Sequence, residues 1–145
     1  METTDLAMRY DRWLTGLWQA PPERMAGLAR ELFTEDAVGH WSRGDAHGPE
    51  GIAANVRETT ALFDEVRTEL LVGPVVDGAL VSAVWRFSGR VRAGVPGVTA
   101  EPGGLVTFTG ADMFRAVGTR FAEYWPHGDA LSCLSQLGLV RMTTP

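Results

Sequence analysis

The chain has 145 residues, of which 45% are hydrophobic and 21% charged, with a formal net charge of −5. That is the composition of a soluble globular protein, most simply one domain over residues 1–145, and long enough to build a core without staples. The negative balance excludes the basic footprint of a nucleic-acid binder and disfavours anionic membranes, and the single cysteine, Cys133, excludes an internal disulfide and a thiolate metal cluster.

The acidic start, Met1-Glu2-Thr3-Thr4-Asp5, lacks the basic-then-apolar pattern of a secretory signal, and no apolar run is long enough for a bilayer. A cytoplasmic protein is expected. Leu6, Tyr10, Trp13, Leu14 and Leu17 recur at helical spacing, which predicts a helix over about 4–19. Pro21-Pro22 breaks it and suits the first turn of a second helix, whose stripe is Met25, Leu28, Ala29, Leu32 and Phe33. Thr34-Glu35-Asp36 ends that helix. Residues 37–41 read as a short strand and 42–48 as a polar loop. Pro49 then opens a third helix with Ile52, Val56 and Phe63 on its inner face.

The second half changes period. Residues 66–72 read as a strand, Asp77-Gly78 as a turn, and 79–92 as a long alternating strand with Val81, Ala83, Trp85 and Phe87 on the core face. Residues 94–104 form a loop. In the strand over 105–117, Val106, Phe108, Asp112 and Phe114 share a face, so an aspartate interrupts an apolar set. Such local inconsistencies mark functional sites. A last strand covers 119–125, with Phe121, Glu123, Trp125 and His127 on one parity. Gly128-Asp129 then starts a helix with Leu131, Leu134 and Leu137 on one side, stopped by Gly138. Strands that run together rather than alternate with helices give the α+β class. The expected architecture is a curved antiparallel sheet wrapped around N-terminal helices, with a hydrophobic pocket between them.

Asp112, Glu123, His127 and Asp129 lie among aromatic side chains, where a carboxyl can acquire the raised pKa that acid–base chemistry near neutrality needs. Each has a plainer alternative: a rim residue for Asp112, a salt bridge for Glu123, an exposed turn for His127, a helix N-cap for Asp129. Tyr10, Trp13, Trp41, Trp85, Phe108, Phe114 and Trp125 would suit a flat polycyclic ligand, or form plain core. Asn55 on the third helix would hydrogen-bond a substrate oxygen or face solvent. His40, His47 and His127 make no recognisable metal motif, and no glycine-rich loop follows a strand into a helix, so no metal, nucleotide or other cofactor is expected.

Three ordered pieces carry a family likeness. They are Gly48-Pro49-Glu50-Gly51-Ile52, Gly110-Ala111-Asp112-Met113-Phe114-Arg115, and Glu123-Tyr124-Trp125 with Asp129 and Gln136-Leu137-Gly138. Together the chain resembles the SnoaL-like polyketide cyclases, in the cone-shaped superfamily that includes ketosteroid isomerases and limonene epoxide hydrolases. It departs from the family pattern at Tyr124, where a histidine is usual, at Pro126-His127, and in Ser88-Gly89-Arg90-Val91-Arg92, which lacks the family histidine. The resemblance implies an acid/base aspartate at Asp129. It makes His40 interesting because the isomerase branch keeps its general base there, and His127 because the hydrolase branch keeps an aspartate nearby. The implied activity is a cofactor-independent aldol-type cyclisation or related isomerisation of a polyketide-derived aromatic intermediate, with Asp129 or Asp112 as acid/base and His40 as partner. Alternatives are an epoxide-opening or hydroxylation-assisting enzyme, and a non-catalytic small-molecule binder. The partners implied are a hydrophobic polycyclic substrate and a second copy of the chain, as homodimer or homotetramer.

Overall fold

Residues 3–141 and 143 are described by a computed structural model. Helix α1 (Thr3–Asp11) continues into a π-helical segment, Arg12–Leu17, in place of one uniform helix over 4–19. The wider π turn keeps Trp13, Leu14 and Leu17 all buried, in line with Leu6 and Tyr10 from α1. Helix α2 (Pro22–Leu32) has proline in its first turn and buries Met25, Leu28, Ala29 and Leu32.

Strand β1 (Phe33–Trp41) begins directly after α2, so Phe33 closes the apolar stripe as a strand residue and the strand is longer than 37–41. The segment read as a polar loop contains β2 (Gly44–His47), antiparallel to β1. Only Ala46 of β2 is buried, and an edge strand so exposed carries no apolar alternation for the sequence to show. Helix α3 (Gly48–Thr60) has Pro49 in its first turn and buries Ile52, Ala53 and Val56; Phe63, expected on it, is instead the first residue of β3.

Four long strands follow: β3 (Phe63–Asp77), β4 (Leu80–Val91), β5 (Leu105–Val117) and β6 (Arg120–Gly128). The sheet order is β2-β1-β6-β5-β4-β3, with β1 parallel to β6 and the other pairs antiparallel. Three register irregularities between β3 and β4 bend that end of the sheet, as bulges do. The result is the α+β class expected from the sequence, a curved, unclosed sheet with helices against its inner face. No described helix is long and apolar enough to cross a membrane.

The alternation in β4 and β5 falls as the sequence indicates: Val81, Ala83, Trp85 and Phe87 are buried, and so are Val106, Asp112 and Phe114. The parity of β6 differs. Arg115 pairs with Glu123 but Ala116 pairs with Phe121, so β6 carries one extra residue there. One inserted residue exchanges the faces of everything beyond it. Phe121 and Tyr124 therefore both point inward, whereas Glu123 and Trp125 do not share the face of Phe121.

Helix α4 (Ala130–Gln136) is capped by Asp129, whose Oδ1 accepts the Ser132 N–H at 3.0 Å. It buries Cys133, with Leu137 just beyond its end, while Leu131 is 50% exposed and does not join the apolar side expected of it. In the core, Phe114 stacks against Phe121 at 4.3 Å and against Tyr124 at 4.4 Å. Trp13 meets Phe33, Phe114 and Tyr124 edge-on. Gly89 of β4 lies under buried Phe63, where an added Cβ would stand 2.8 Å from its Cβ and Cγ. Gly89→Ala should therefore cost about 1–3 kcal/mol of stability by overpacking, read as a lower midpoint in urea. An unchanged midpoint would show that β3 and β4 do not press together at this point.

Candidate active site

Asp112 stands on the inward face of β5 and is 2% exposed. Its carboxyl receives three hydrogen bonds from three different elements. Tyr10 on α1 donates its hydroxyl to Oδ2 at 2.9 Å. Trp13 in the π segment donates Nε1–H to the same oxygen at 3.3 Å. Tyr124 on β6 donates its hydroxyl to Oδ1 at 2.8 Å. The π segment and the β6 bulge, two of the fold's irregular features, are what bring Trp13 and Tyr124 to this point.

Burial pushes the Asp112 pKa up, and it outweighs the opposing pull of the donors from Tyr124, Tyr10 and Trp13. The Trp85 Nε1–H faces the carboxyl and favours the anion ahead of Trp13, without reaching the geometry of a hydrogen bond. Burial first, and the neighbouring Asp112 charge second, raise the pKa of both Tyr10 and Tyr124. The two phenols thus stay protonated and act as donors.

Asp112 and Tyr124 form part of the wall of a cavity of about 440 Å³. Trp18, Trp41, Trp85, Phe87 and Phe108 supply most of its aromatic lining. Exposed Arg43, Glu58 and His127 also border it, and the Arg43 and Glu58 side chains pair at 3.1 Å. Cys133 borders it as well; burial pushes this thiol up to about 11, so it remains a neutral, poorly nucleophilic group. A larger cleft of about 940 Å³ runs along α1 past Gly78 and Gly118, lined by Arg9, Arg12 and Glu31. It is more open and holds no buried ionisable group, so the chemistry favours the smaller cavity.

The model for SnoaL-like polyketide cyclases matches residues 10–137. The chain belongs to that family. No curated protein matches the sequence. Among solved structures, it is similar to TsrD from Streptomyces laurentii, with 20% identity, 97% of this chain and 99% of that one covered, and a TM-score of 0.76. A candidate SnoaL-like polyketide cyclase from Jannaschia sp. CCS1 gives 18% identity, coverage of 95% and 94%, and a TM-score of 0.79. These two likenesses concern the fold. IdmH, a candidate polyketide cyclase from Streptomyces antibioticus, gives 29% identity, coverage of 85% and 94%, and a TM-score of 0.65.

The SnoaL-like cone sorts the residues singled out from the sequence into three groups. Asp112, Trp41, Trp85, Phe108 and His127 line the cavity. Tyr10 and Trp13 sit behind Asp112 as its donors, and Phe114 is wholly buried in the stack beneath Tyr124. The third group lies outside the lining: Asp129, Asn55, His40 and Trp125. Asp129 is spent on the α4 cap. Asn55 is half-buried on α3. His40 and Trp125 stack on each other at 5.5 Å on the other side of the sheet.

There His40 bonds Glu123 through Nε2 at 2.7 Å and Asp45 through Nδ1 at 3.1 Å. The Glu123 bond raises its pKa, slight desolvation opposes this, and Asp45 adds to the rise. Glu123 is held low by Arg115 first and His40 second. This is an ion-pair network at the surface, remote from the Asp112 carboxyl. The sequence did not single out Trp18, Phe87 or Tyr124 as part of the site, and of these Tyr124 touches the carboxyl. It was visible only as a departure from the family pattern, because the bulge that turns it inward has no composition signal. Among the described residues no group of three His, Cys, Asp or Glu side chains is placed to hold a metal ion.

The raised Asp112 pKa links to stability. A folded-state value above the ordinary 3.8 means that the folded protein holds this proton to higher pH than the unfolded chain does. The contribution is fully present below 3.8 and is lost as pH rises through the folded value. Asparagine does not titrate. The stability of wild type relative to Asp112→Asn should therefore fall as pH rises from below 3.8 toward neutrality, measured by urea unfolding at several pH values. A difference independent of pH would contradict it.

Proposed function

We propose that this SnoaL-like domain, residues 1–145, is a cofactor-independent acid/base enzyme that cyclises or isomerises a polyketide-derived aromatic intermediate. The single observation that carries the reading is the Asp112 carboxyl, buried at the wall of an aromatic cavity and held by three donors. Asp112 as the anion takes a proton from a carbon next to a substrate carbonyl. The resulting enolate carbon attacks a second carbonyl of the same molecule and forms the ring C–C bond. The new alkoxide then takes the proton back from Asp112, so the step is balanced without an external reagent. The raised pKa suits the abstraction, since it makes the carboxylate a stronger base, and the alkoxide is basic enough to take the proton from the carboxyl afterwards.

Tyr10, Trp13 and Tyr124 fix the carboxyl during both transfers. The aromatic walls orient a flat substrate, and orientation is worth roughly 7–11 kcal/mol of a barrier at best. Asp129 and His40 take no part in this scheme, because neither borders the cavity. Leu80, Leu105, Met113 and Val117 leave apolar surface on the outer face of β4 and β5, which supports pairing of two copies there.

Ring closure of an aromatic polyketide keto-ester is the direct assay. Asp112→Asn keeps the shape but cannot abstract the proton, and should lower kcat about 100- to 10,000-fold. Asp129→Asn should stay near the wild-type rate. Wild-type turnover in Asp112→Asn would sink the assignment.

A further inference from the structure

Two indoles face the Asp112 carboxyl, and they are used differently. Trp13 gives its N–H to Oδ2. Trp85, 8% exposed, turns its N–H toward the same carboxyl but falls short of hydrogen-bond geometry, and among the described residues it is the one buried side-chain nitrogen or oxygen without a hydrogen-bond partner. Buried donors in folded proteins almost always have partners, so an orphan at a cavity wall marks a place where an acceptor is missing. Phenylalanine or leucine would line the wall equally well without that penalty.

The indole is not free to turn away. Trp85 pairs with Gly110 across β4 and β5, and Gly110 pairs with Gly128 across β5 and β6. These two glycines leave a trough for the ring. A Cβ at Gly110 would stand 2.4 Å from Trp85 Cζ2, and one at Gly128 would stand 3.2 Å from Cη2. Phe108 closes the side of the trough, edge-on at 5.7 Å. Asp112 faces Ala83, two residues from Trp85 along β4, so indole and carboxyl are diagonal neighbours on one wall. Both line the same cavity, and a group bonded to one lies beside the other.

We propose that Trp85 Nε1–H is a substrate-binding donor that takes a carbonyl or phenolate oxygen at the leading edge of a planar aromatic ligand. The pairing sets which end of the ligand enters first and puts the carbon next to that oxygen beside Asp112. An indole N–H is a donor and nothing else, so the subsite accepts oxygens that carry a lone pair and rejects a hydrocarbon edge. The proposal rests on the cavity being the ligand site, as in the reading above, and not on Asp112 acting as acid or base.

The test uses 1-tetralone and tetralin, bicyclic probes that differ in one carbonyl oxygen. Wild type should bind the ketone more tightly by calorimetry. Trp85→Phe should weaken the ketone about 2- to 10-fold, the worth of one hydrogen bond, and leave tetralin unchanged. In wild type labelled with 15N at its indoles, the Trp85 Nε1–H resonance should move downfield with the ketone and not with tetralin, a measurement that needs no variant. Equal weakening of both probes, no preference in wild type, or an indole resonance indifferent to the ketone would each overturn the proposal. Wild-type turnover in Asp112→Asn would end the acid/base reading while leaving the ketone preference of Trp85 intact, so the two fail separately.

Discussion

A carboxyl group buried in an aromatic wall is the constraint on which the rest of this structure turns. Taking a carboxylate out of water costs several kcal/mol, and hydrogen bonds to a charged group return about 1.5–3 kcal/mol each. Asp112 has three such donors, and burial still wins, leaving its pKa raised. A fold selected for stability alone would place a hydrophobic residue here, since an apolar side chain of similar volume is often neutral or stabilising at such a site. The tension between desolvation and the donors is what makes the group usable for proton transfer.

Much of the surrounding architecture serves to deliver those donors. The π segment keeps Trp13 and Leu14 inward together, directly after Tyr10 on α1. The β6 bulge turns Tyr124 inward and sends Glu123 to the other face, where it binds Arg115 and His40. Behind the carboxyl, Phe114, Phe121 and Tyr124 form a stack that fixes the phenol. In front of it, Gly110 and Gly128 make room for the Trp85 ring. Irregular backbone and missing side chains thus do as much to shape the site as the polar residues do.

The alternating strands and the helical stripes were legible because burial imposes a period on the sequence. The inward parity of β4 and β5, and with it the position of Asp112, followed from that period alone. Asp129 as the α4 cap was legible as one of two alternatives, from the Gly-Asp pair before an apolar run. What the period could not show was the point where it breaks. The extra residue in β6 is an ordinary Ala122 in an ordinary strand, so Glu123 and Trp125 shared the parity of Phe121, Glu123 stayed open between pocket and salt bridge, and Tyr124 looked like a lost histidine. His40 lies on a strand paired in parallel to β6, and its exclusion from the cavity depends on that long-range pairing. The short edge strand β2 escaped notice because it buries so little.

The most direct measurement is a titration of Asp112 itself, followed by NMR of protein labelled with 13C at the aspartate carboxyls, with Asp112→Asn used to assign the signal. The account predicts a midpoint above the ordinary aspartate value of 3.8. A midpoint at or below that value would show that the donors outweigh burial, and would remove the physical basis for acid–base chemistry at this site.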